Sequence, residues 1–294
     1  MLGGMSDTPS FEQQVAEWQQ WVGRTETRSD VISAAQLAGL AATLDHNRPE
    51  PAVGDPVPPL AHWLHFLPQA RQSQIGEDGH PHRGGFLPPV PLPRRMWAGG
   101  RLEWHAPLAV GDKVEKLSTI AKVEGKQGRS GTLVFVTVRH EVTGPRGLAV
   151  TEEQDIVYRE APAPGVPAPA PTPAPEGEAF SREIAPDPVL LFRYSALTFN
   201  GHRIHYDRPY CLEEEGYPGL VVHGPLIATL LVDALEREKP GARLARFSFT
   251  AVRPTFDINR FHVCGAPGEE PGAFQLWGRD HEGALTMKAS ATLA

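Results

Sequence analysis

Residues 225–237 read PLIATLLVDALER, and the fold follows from what this stretch can be. Leu226, Ile227, Leu230, Leu231, Val232 and Leu235 recur at helical spacing and cover most of a helix circumference. Such a helix belongs inside the protein, not on its surface. Pro225 is tolerated at the first turn, where its missing N–H has no intrahelical partner. The EKPG sequence at 238–241 supplies a stop.

Working outward, ARFSFTAV (245–252), INRFHVCG (258–265), AFQLWGRD (273–280) and ALTMKASATL (284–293) alternate and are broken by Gly, Pro and acidic turns, which predicts strands. A single buried helix followed by an antiparallel meander implies a curved sheet wrapped round that helix, the hot-dog architecture. The first half has its own alternating runs at 114–124, 132–143 and 148–158, separated by turn sequences. The GKQGRSG segment after Glu124 resembles a phosphate loop in composition, but it lacks Walker spacing and joins two strands, so a hairpin is expected. Helix candidates in this half are residues 34–44 and the short PPLAHWLHFLP at 58–68. GRLEWHAPLAVGDKVE from Gly100 and ARLARFSFTAVRPTFDINRFHV from Ala242 share a strand, a Pro-containing bend, an Asp and a further strand, which points to duplication. Between the halves, residues 161–178 carry seven prolines without periodicity, the composition of a linker. The expected organisation is α+β, a double hot-dog with each half an antiparallel sheet round a central helix: a unit at 1–160, a linker at 161–178 and a second unit at 179–294.

Composition narrows the function. With 40% hydrophobic and 21% charged residues, each half can bury a core. A formal charge of −7 gives no source for phosphate-driven affinity, so nucleic acid is not an expected partner. Cys211 and Cys264 lack the spacing of a zinc site or a disulfide framework. No apolar run approaches membrane-spanning length and no export signal opens the chain, so a cytoplasmic protein is expected.

The chemistry concentrates in FNGHRIHYD, residues 199–207, just ahead of the buried helix. His205 can take or give a proton near neutral pH, as general acid–base catalysis requires; alone it would read sooner as a core histidine, and its neighbours change that reading. Asn200 lies five residues earlier and can share a pocket with it through a turn. Asp207 reads as an N-cap for the RPYCLEEE that follows. Gly224 precedes the helix, so its N–H is free, sits at the positive end of the dipole, and could polarise a carbonyl that glycine lets approach closely.

FNGHRIHYD together with GLVVHGPLIATLL (219–231) resembles the MaoC-like, R-specific enoyl-thioester hydratases and dehydratases of the hot-dog fold. DGHPHRGGFLPPVPLPRRMWAGGRLEWHAPLAVGD (78–112) is similar to the double hot-dog branch that contains mesaconyl-CoA hydratases and 3-hydroxyacyl-thioester dehydratases. The resemblance implies His205 as base or acid and Gly224 as carbonyl binder, with Asn200 where the family carries an acidic residue; an amide can orient water but cannot carry the proton. It implies hydration of an enoyl-CoA thioester without metal or redox cofactor, in a C-terminal catalytic unit whose N-terminal partner shapes the substrate tunnel. His223 of the H-G pair, Arg94, Arg95 and Arg203 are the expected substrate-binding residues, the arginines through a CoA phosphate or a substrate carboxylate. His62, His65, His80 and His82 have spacings compatible with a metal, but their aromatic, Pro and Gly neighbours favour packing and a turn. A thioesterase and a non-catalytic acyl-thioester binding subunit are the competing functions. Association of two such double units into a homodimer is a further expectation.

Overall fold

The computed structural model describes residues 9–128, 131–161 and 170–294. The first unit contains α1 (Phe11–Trp18), β1 (Thr25–Val31), α2 (Ala34–Thr43), β2 (Arg94–Trp104), β3 (Lys113–Gly128), β4 (Gly131–Gly144) and β5 (Gly147–Arg159). The second contains β6 (Phe180–Ile184), α3 (Pro188–Thr198), α4 (Arg208–Glu213), α5 (Gly224–Glu238), β7 (Leu244–Ala251), β8 (Phe261–Pro267), β9 (Ala273–Arg279) and β10 (Leu285–Leu293). All strands join one ten-stranded sheet in the order β1-β3-β4-β5-β2-β7-β10-β9-β8-β6. Each unit repeats the same order of five strands, and the two meet at β2 and β7.

That seam is antiparallel, with Gly99 opposite Thr250, Gly100 opposite Phe249 and Leu102 opposite Phe247. Glycine is required here by proximity. A Cβ at Gly99 would lie 2.6 Å from the Phe249 carbonyl oxygen, and one at Gly100 3.1 Å from that of Glu153. The two glycines let neighbouring backbones close up where the sheet bends, and a register shift between Trp97 and Gly99 marks the irregularity.

The helix expected over residues 225–237 is α5. Ten of its residues, Leu226 to Leu235, are buried, and it packs on β8, β6, β9 and β10. The charged member of this run, Asp233, is held by His46 (2.5 Å), Arg182 (2.7 Å) and Arg237 (2.9 Å). Both arginines also donate to the Leu44 carbonyl, tying α5 to the end of α2.

The first unit departs from the expected plan. Its central helix is the ten-residue α2, which packs against α3 and the 3-10 turn Ala61–Leu64. The expected 58–68 helix is only that turn, bracketed by Leu60 (φ 66°) and Phe66 (φ 57°), whose left-handed backbone cannot continue a right-handed helix. Part of the concave face of β3–β5 is therefore free to line a cavity. Elsewhere that sheet is covered by α1, whose Phe11, Val15 and Trp18 join Ile120, Val136 and Tyr158 in a second core.

Within the 161–178 segment, residues 162–169 lie outside the described residues. The remainder lies against the β9–β10 turn, with Pro173 bridged to Ala284 and Ala174 N–H bonded to the Gly283 carbonyl. The GKQGRSG hairpin includes residues 129 and 130, which are also outside the described set; β3 and β4 on either side of it are paired through Gly128 and Gly131.

Replacing Gly99 with Val should force the seam apart. Urea unfolding is expected to show a loss of about 1–3 kcal/mol or more, the usual cost of overpacking; an unchanged midpoint would mean that the seam tolerates a side chain.

Candidate active site

The sequence after α3 is shaped by its C-cap. Phe199 adopts the left-handed conformation (φ 49°), which turns the chain away from the helix while Asn200 N–H still bonds the Ser195 carbonyl (2.8 Å). Asn200 Oδ1 then accepts from His202 N–H (3.0 Å), so its amide orientation is fixed and its NH2 remains as the outward-facing donor. Arg203–His205 form a 3-10 turn, and Asp207 caps α4 by accepting from Tyr210 N–H (3.2 Å).

His205 is 7% exposed. Its Nδ1 lies 2.7 Å from the Val221 carbonyl oxygen; a carbonyl only accepts, so Nδ1 carries the proton and Nε2 keeps its lone pair. The ring stacks on His223 at 3.7 Å and 17°, and His223 immediately precedes Gly224, the first residue of α5. The His205 ring is thereby held against the residue that leads into α5. Burial, with a smaller repulsion from His202, pushes the His205 pKa down to about 3. Burial likewise lowers His202 to about 3 and His223 well below its ordinary value. The imidazoles of this stack are neutral at physiological pH.

A loop of the first unit completes this end of the site. Gly79, at φ +87°, lies so close to the second unit that a Cβ would stand 1.8 Å from the Gly201 carbonyl oxygen. Arg203 N–H donates to the Asp78 carbonyl (2.9 Å). This docking lays the His80 ring on His202 at 4.0 Å, while Asp78 Oδ2 holds His80 Nδ1 at 3.0 Å. Burial pushes the Asp78 carboxyl up, but the side-chain and backbone hydrogen bonds from His80 outweigh it and hold the group well below the usual carboxylate range. Ligand-type atoms of Asp78, His80 and His202 lie within 4.8 Å of one another, a grouping the histidine spacings did not suggest.

A cavity of about 800 Å³ opens here. Its wall includes Asn200, Ser195, Pro225 and His80 at the histidine end, then Trp97 and Trp63, then Glu152, His140 and Lys116 of the first unit. His205 and Gly224 are not among the lining residues, whereas their chain neighbours Tyr206 and Pro225 are. Phe192, Phe199 and Tyr206, which also line it, are each about half exposed or more.

Four expected substrate contacts fall elsewhere. His223 is 1% exposed, packed between His205 and Tyr194, with Nε2 on Ser195 Oγ at 2.8 Å; it supports His205 and does not reach the cavity. Arg203 is occupied by Asp207 (2.8 Å), the Glu77 carbonyl (3.1 Å) and the Tyr210 ring (4.1 Å). Arg94 binds the Glu215 carbonyl (3.0 Å) and stacks over Tyr217. Arg95 lies beside Tyr158. None of these arginines lines the cavity, because each guanidinium is drawn off by a local partner. Among the first-unit histidines, His62 Nε2 lies 2.9 Å from Glu152, and His65 Nε2 accepts from Ser33 N–H at 3.0 Å; they are held singly and do not form a set.

The residues that sequence reading missed are Lys116, His140 and Glu152. Their signal was a polar side chain at an inward position on three successive strands.

Comparison with known proteins agrees with this architecture. The MaoC-like dehydratase structure superposes with a TM-score of 0.71 over 94% of this chain and 99% of its own, at 13% identity. HtdX of Mycobacterium tuberculosis gives 0.62 over 92% and 100%, at 20% identity. In sequence, the chain is 49% identical to the mesaconyl-C(4)-CoA hydratase of Chloroflexus aurantiacus over 95% of its own length and 98% of that protein. It is 25% identical to the mitochondrial hydroxyacyl-thioester dehydratase type 2 of Schizosaccharomyces pombe, over 80% and 88%. With the profile of that family matching residues 60–257, the chain belongs to the hydroxyacyl-thioester dehydratase type 2 family and is a hydro-lyase.

Proposed function

We propose that the protein adds water syn across the 2,3 double bond of an enoyl-CoA thioester, or removes it in the reverse direction, on mesaconyl-CoA or a related short branched or dicarboxylic acyl-CoA. The observation that carries the assignment of chemistry to the second unit is the state of His205. A neutral imidazole with Nδ1–H anchored on the Val221 carbonyl has its basic Nε2 available. In the hydration direction, Nε2 takes a proton from water as the oxygen bonds to C3, and the imidazolium returns that proton to C2. One water therefore supplies both added pieces. Asn200, whose Oδ1 is engaged by His202 N–H, orients the water or the thioester through its NH2. The Gly224 N–H, at the start of α5, stabilises the negative charge that builds on the thioester oxygen. The unit at 1–160 shapes the cavity and contributes Gly79 and His80 to its wall, and the unit at 179–294 carries the chemistry. Thioester hydrolysis is not favoured, since the family and the relative at 49% identity are dehydratases and hydratases.

Hydration of mesaconyl-CoA and crotonyl-CoA, followed by loss of enoyl absorbance without thiol release, tests the reading. His205→Ala is expected to lower kcat/KM about 10²–10⁴-fold; retained hydration would remove His205 from the mechanism. The pH profile provides a second check. The base must be unprotonated, and its pKa is pushed down to about 3, so kcat/KM should stay level from about pH 8 to about pH 5 and fall only as pH approaches 3. An acid limb near 6.5 would mean that His205 is solvated. Gly79→Ala removes no reacting group but displaces the loop carrying His80, and should cost about 10²-fold in kcat/KM, as a misplacement near 1 Å does; wild-type activity would show that the loop is not part of the working site.

A further inference from the structure

Where the two units dock, side chains of metal-ligating type converge. Ligand atoms of Asp78, His80 and His202 lie within 4.8 Å of one another, and all three residues are partly exposed. Among the described residues, no other three His, Cys, Asp or Glu side chains come together in this way. Asp78 and His80 belong to a loop of the first unit and His202 to the 199–205 turn of the second, so the group exists only in the assembled fold.

Backbone contacts hold these positions before any ligand arrives. Gly76 N–H bonds the His80 carbonyl (2.7 Å) and Gly79 N–H the Gly76 carbonyl (3.0 Å), which closes the loop on itself. Arg203 N–H donates to the Asp78 carbonyl, and its guanidinium donates to the Glu77 carbonyl at 3.1 Å. On the facing turn, His202 N–H donates to Asn200 Oδ1. The approach of Gly79 to Gly201 leaves the loop no space to slide. Such a frame lowers the ordering cost of binding.

The side chains themselves are arranged as donors. Asp78 Oδ1 accepts from the His80 backbone N–H (2.9 Å), while Oδ2 faces His80 Nδ1 at 3.0 Å. With metal–ligand bonds of about 2.0–2.2 Å, neighbouring donors on a tetrahedral ion stand roughly 3.3 Å apart. This oxygen and nitrogen therefore already have the separation of one coordination edge. The His202 ring lies 4.0 Å from that of His80, and its nitrogens have no hydrogen-bond partner among the described residues. Gly79, His80 and Pro81 line the cavity, which gives an ion a path to the group.

We infer that Asp78, His80 and His202 form a binding site for a divalent transition-metal ion of the Zn2+ class, which bridges the two units at the cavity wall. One carboxylate and two imidazoles suit zinc and its first-row neighbours, whereas Mg2+ and Ca2+ require more oxygen ligands. Binding is an exchange. The ion replaces the proton between Asp78 Oδ2 and His80 Nδ1, that proton passes to Nε2 of the same ring, and no electron is transferred. Asp78 Oδ1 keeps its backbone donor, which orients the carboxylate from outside the coordination sphere. The hydration steps assigned to His205, Asn200 and Gly224 use no metal, so the ion is a ligand of the docking site and not a reactant.

Titration calorimetry of the untagged full chain, after treatment with a chelator, tests this with Zn2+ and Co2+ as probes and Mg2+ as the comparison. One equivalent of Zn2+ should bind with a Kd of about 10 μM or below, Co2+ more weakly, and Mg2+ without measurable heat. Bound Co2+ should absorb visible light more strongly than the hexaaqua ion. His80→Ala and His202→Ala should each weaken Zn2+ binding at least about 10–100-fold, the range for losing even an outer partner of a metal site. His105→Ala, which removes an exposed histidine outside the group, should leave it unchanged. Weaker or non-saturating Zn2+ binding by the wild type, or wild-type affinity in either of the first two variants, overturns the inference. Thermal melts show which variants are folded; His80, on a loop, decides alone if His202→Ala is not. No readout involves turnover, so the outcome is separate from that of the hydration assay.

Discussion

The seam between β2 and β7 is the constraint on which the molecule depends. Two five-stranded sheets share one backbone ladder there, and Gly99 leaves room for the adjoining backbone where a Cβ would lie 2.6 Å from the Phe249 carbonyl oxygen, with Gly100 in a tight fit beside it. Because the ladder fixes the two units, the loop bearing Asp78 and His80 reaches the 199–205 turn of the other unit, and the inward polar residues of the first sheet open onto the cavity beside α5. Asp233 reinforces the same arrangement from the far side of α5 through His46 and the two arginines that also reach Leu44.

The site combines strong desolvation with few charges. His205 lies on His223, His202 turns its edge to His205 at 5.5 Å and 89°, and His80 rests on His202. Packed so closely, these rings cannot all be charged, and burial keeps the inner three neutral. An imidazole held neutral far below its solution pKa is a weaker base than a free one, but it is ready at any physiological pH and is oriented by a carbonyl that moves with the backbone. The absence of a carboxylate at position 200 suits this setting: a charge there would stabilise the imidazolium and oppose return of the proton.

Local chemistry made several elements readable. The apolar circumference of α5, the Asp207 cap, and the alternating runs that became β3–β5 and β7–β10 are all decided by neighbours in sequence. The turn that presents Asn200 and His205 was readable for the same reason. Other features depend on tertiary partners. Arg94, Arg95 and Arg203 look alike in sequence as anion binders, yet each finds a partner from another segment. His223 stands beside Gly224 in the chain, but its ring turns inward to Ser195 on α3. Lys116, His140 and Glu152 are separated by whole strands and become a group only through antiparallel register. The short 58–68 segment read as helical from its apolar content, whereas the left-handed Leu60 and Phe66 on either side confine it to a single 3-10 turn.

The displaced α2 has an evolutionary corollary. By leaning on α3 rather than filling its own sheet, it gives one copy of a duplicated unit an unoccupied hollow while the other copy retains the solid core needed to hold a reactive geometry. Selection can then rewrite the hollow, exchanging a lysine for an apolar residue or deepening the floor, without touching the imidazole or the helix-end amide. A lineage built this way can diversify in what it accepts while conserving what it does.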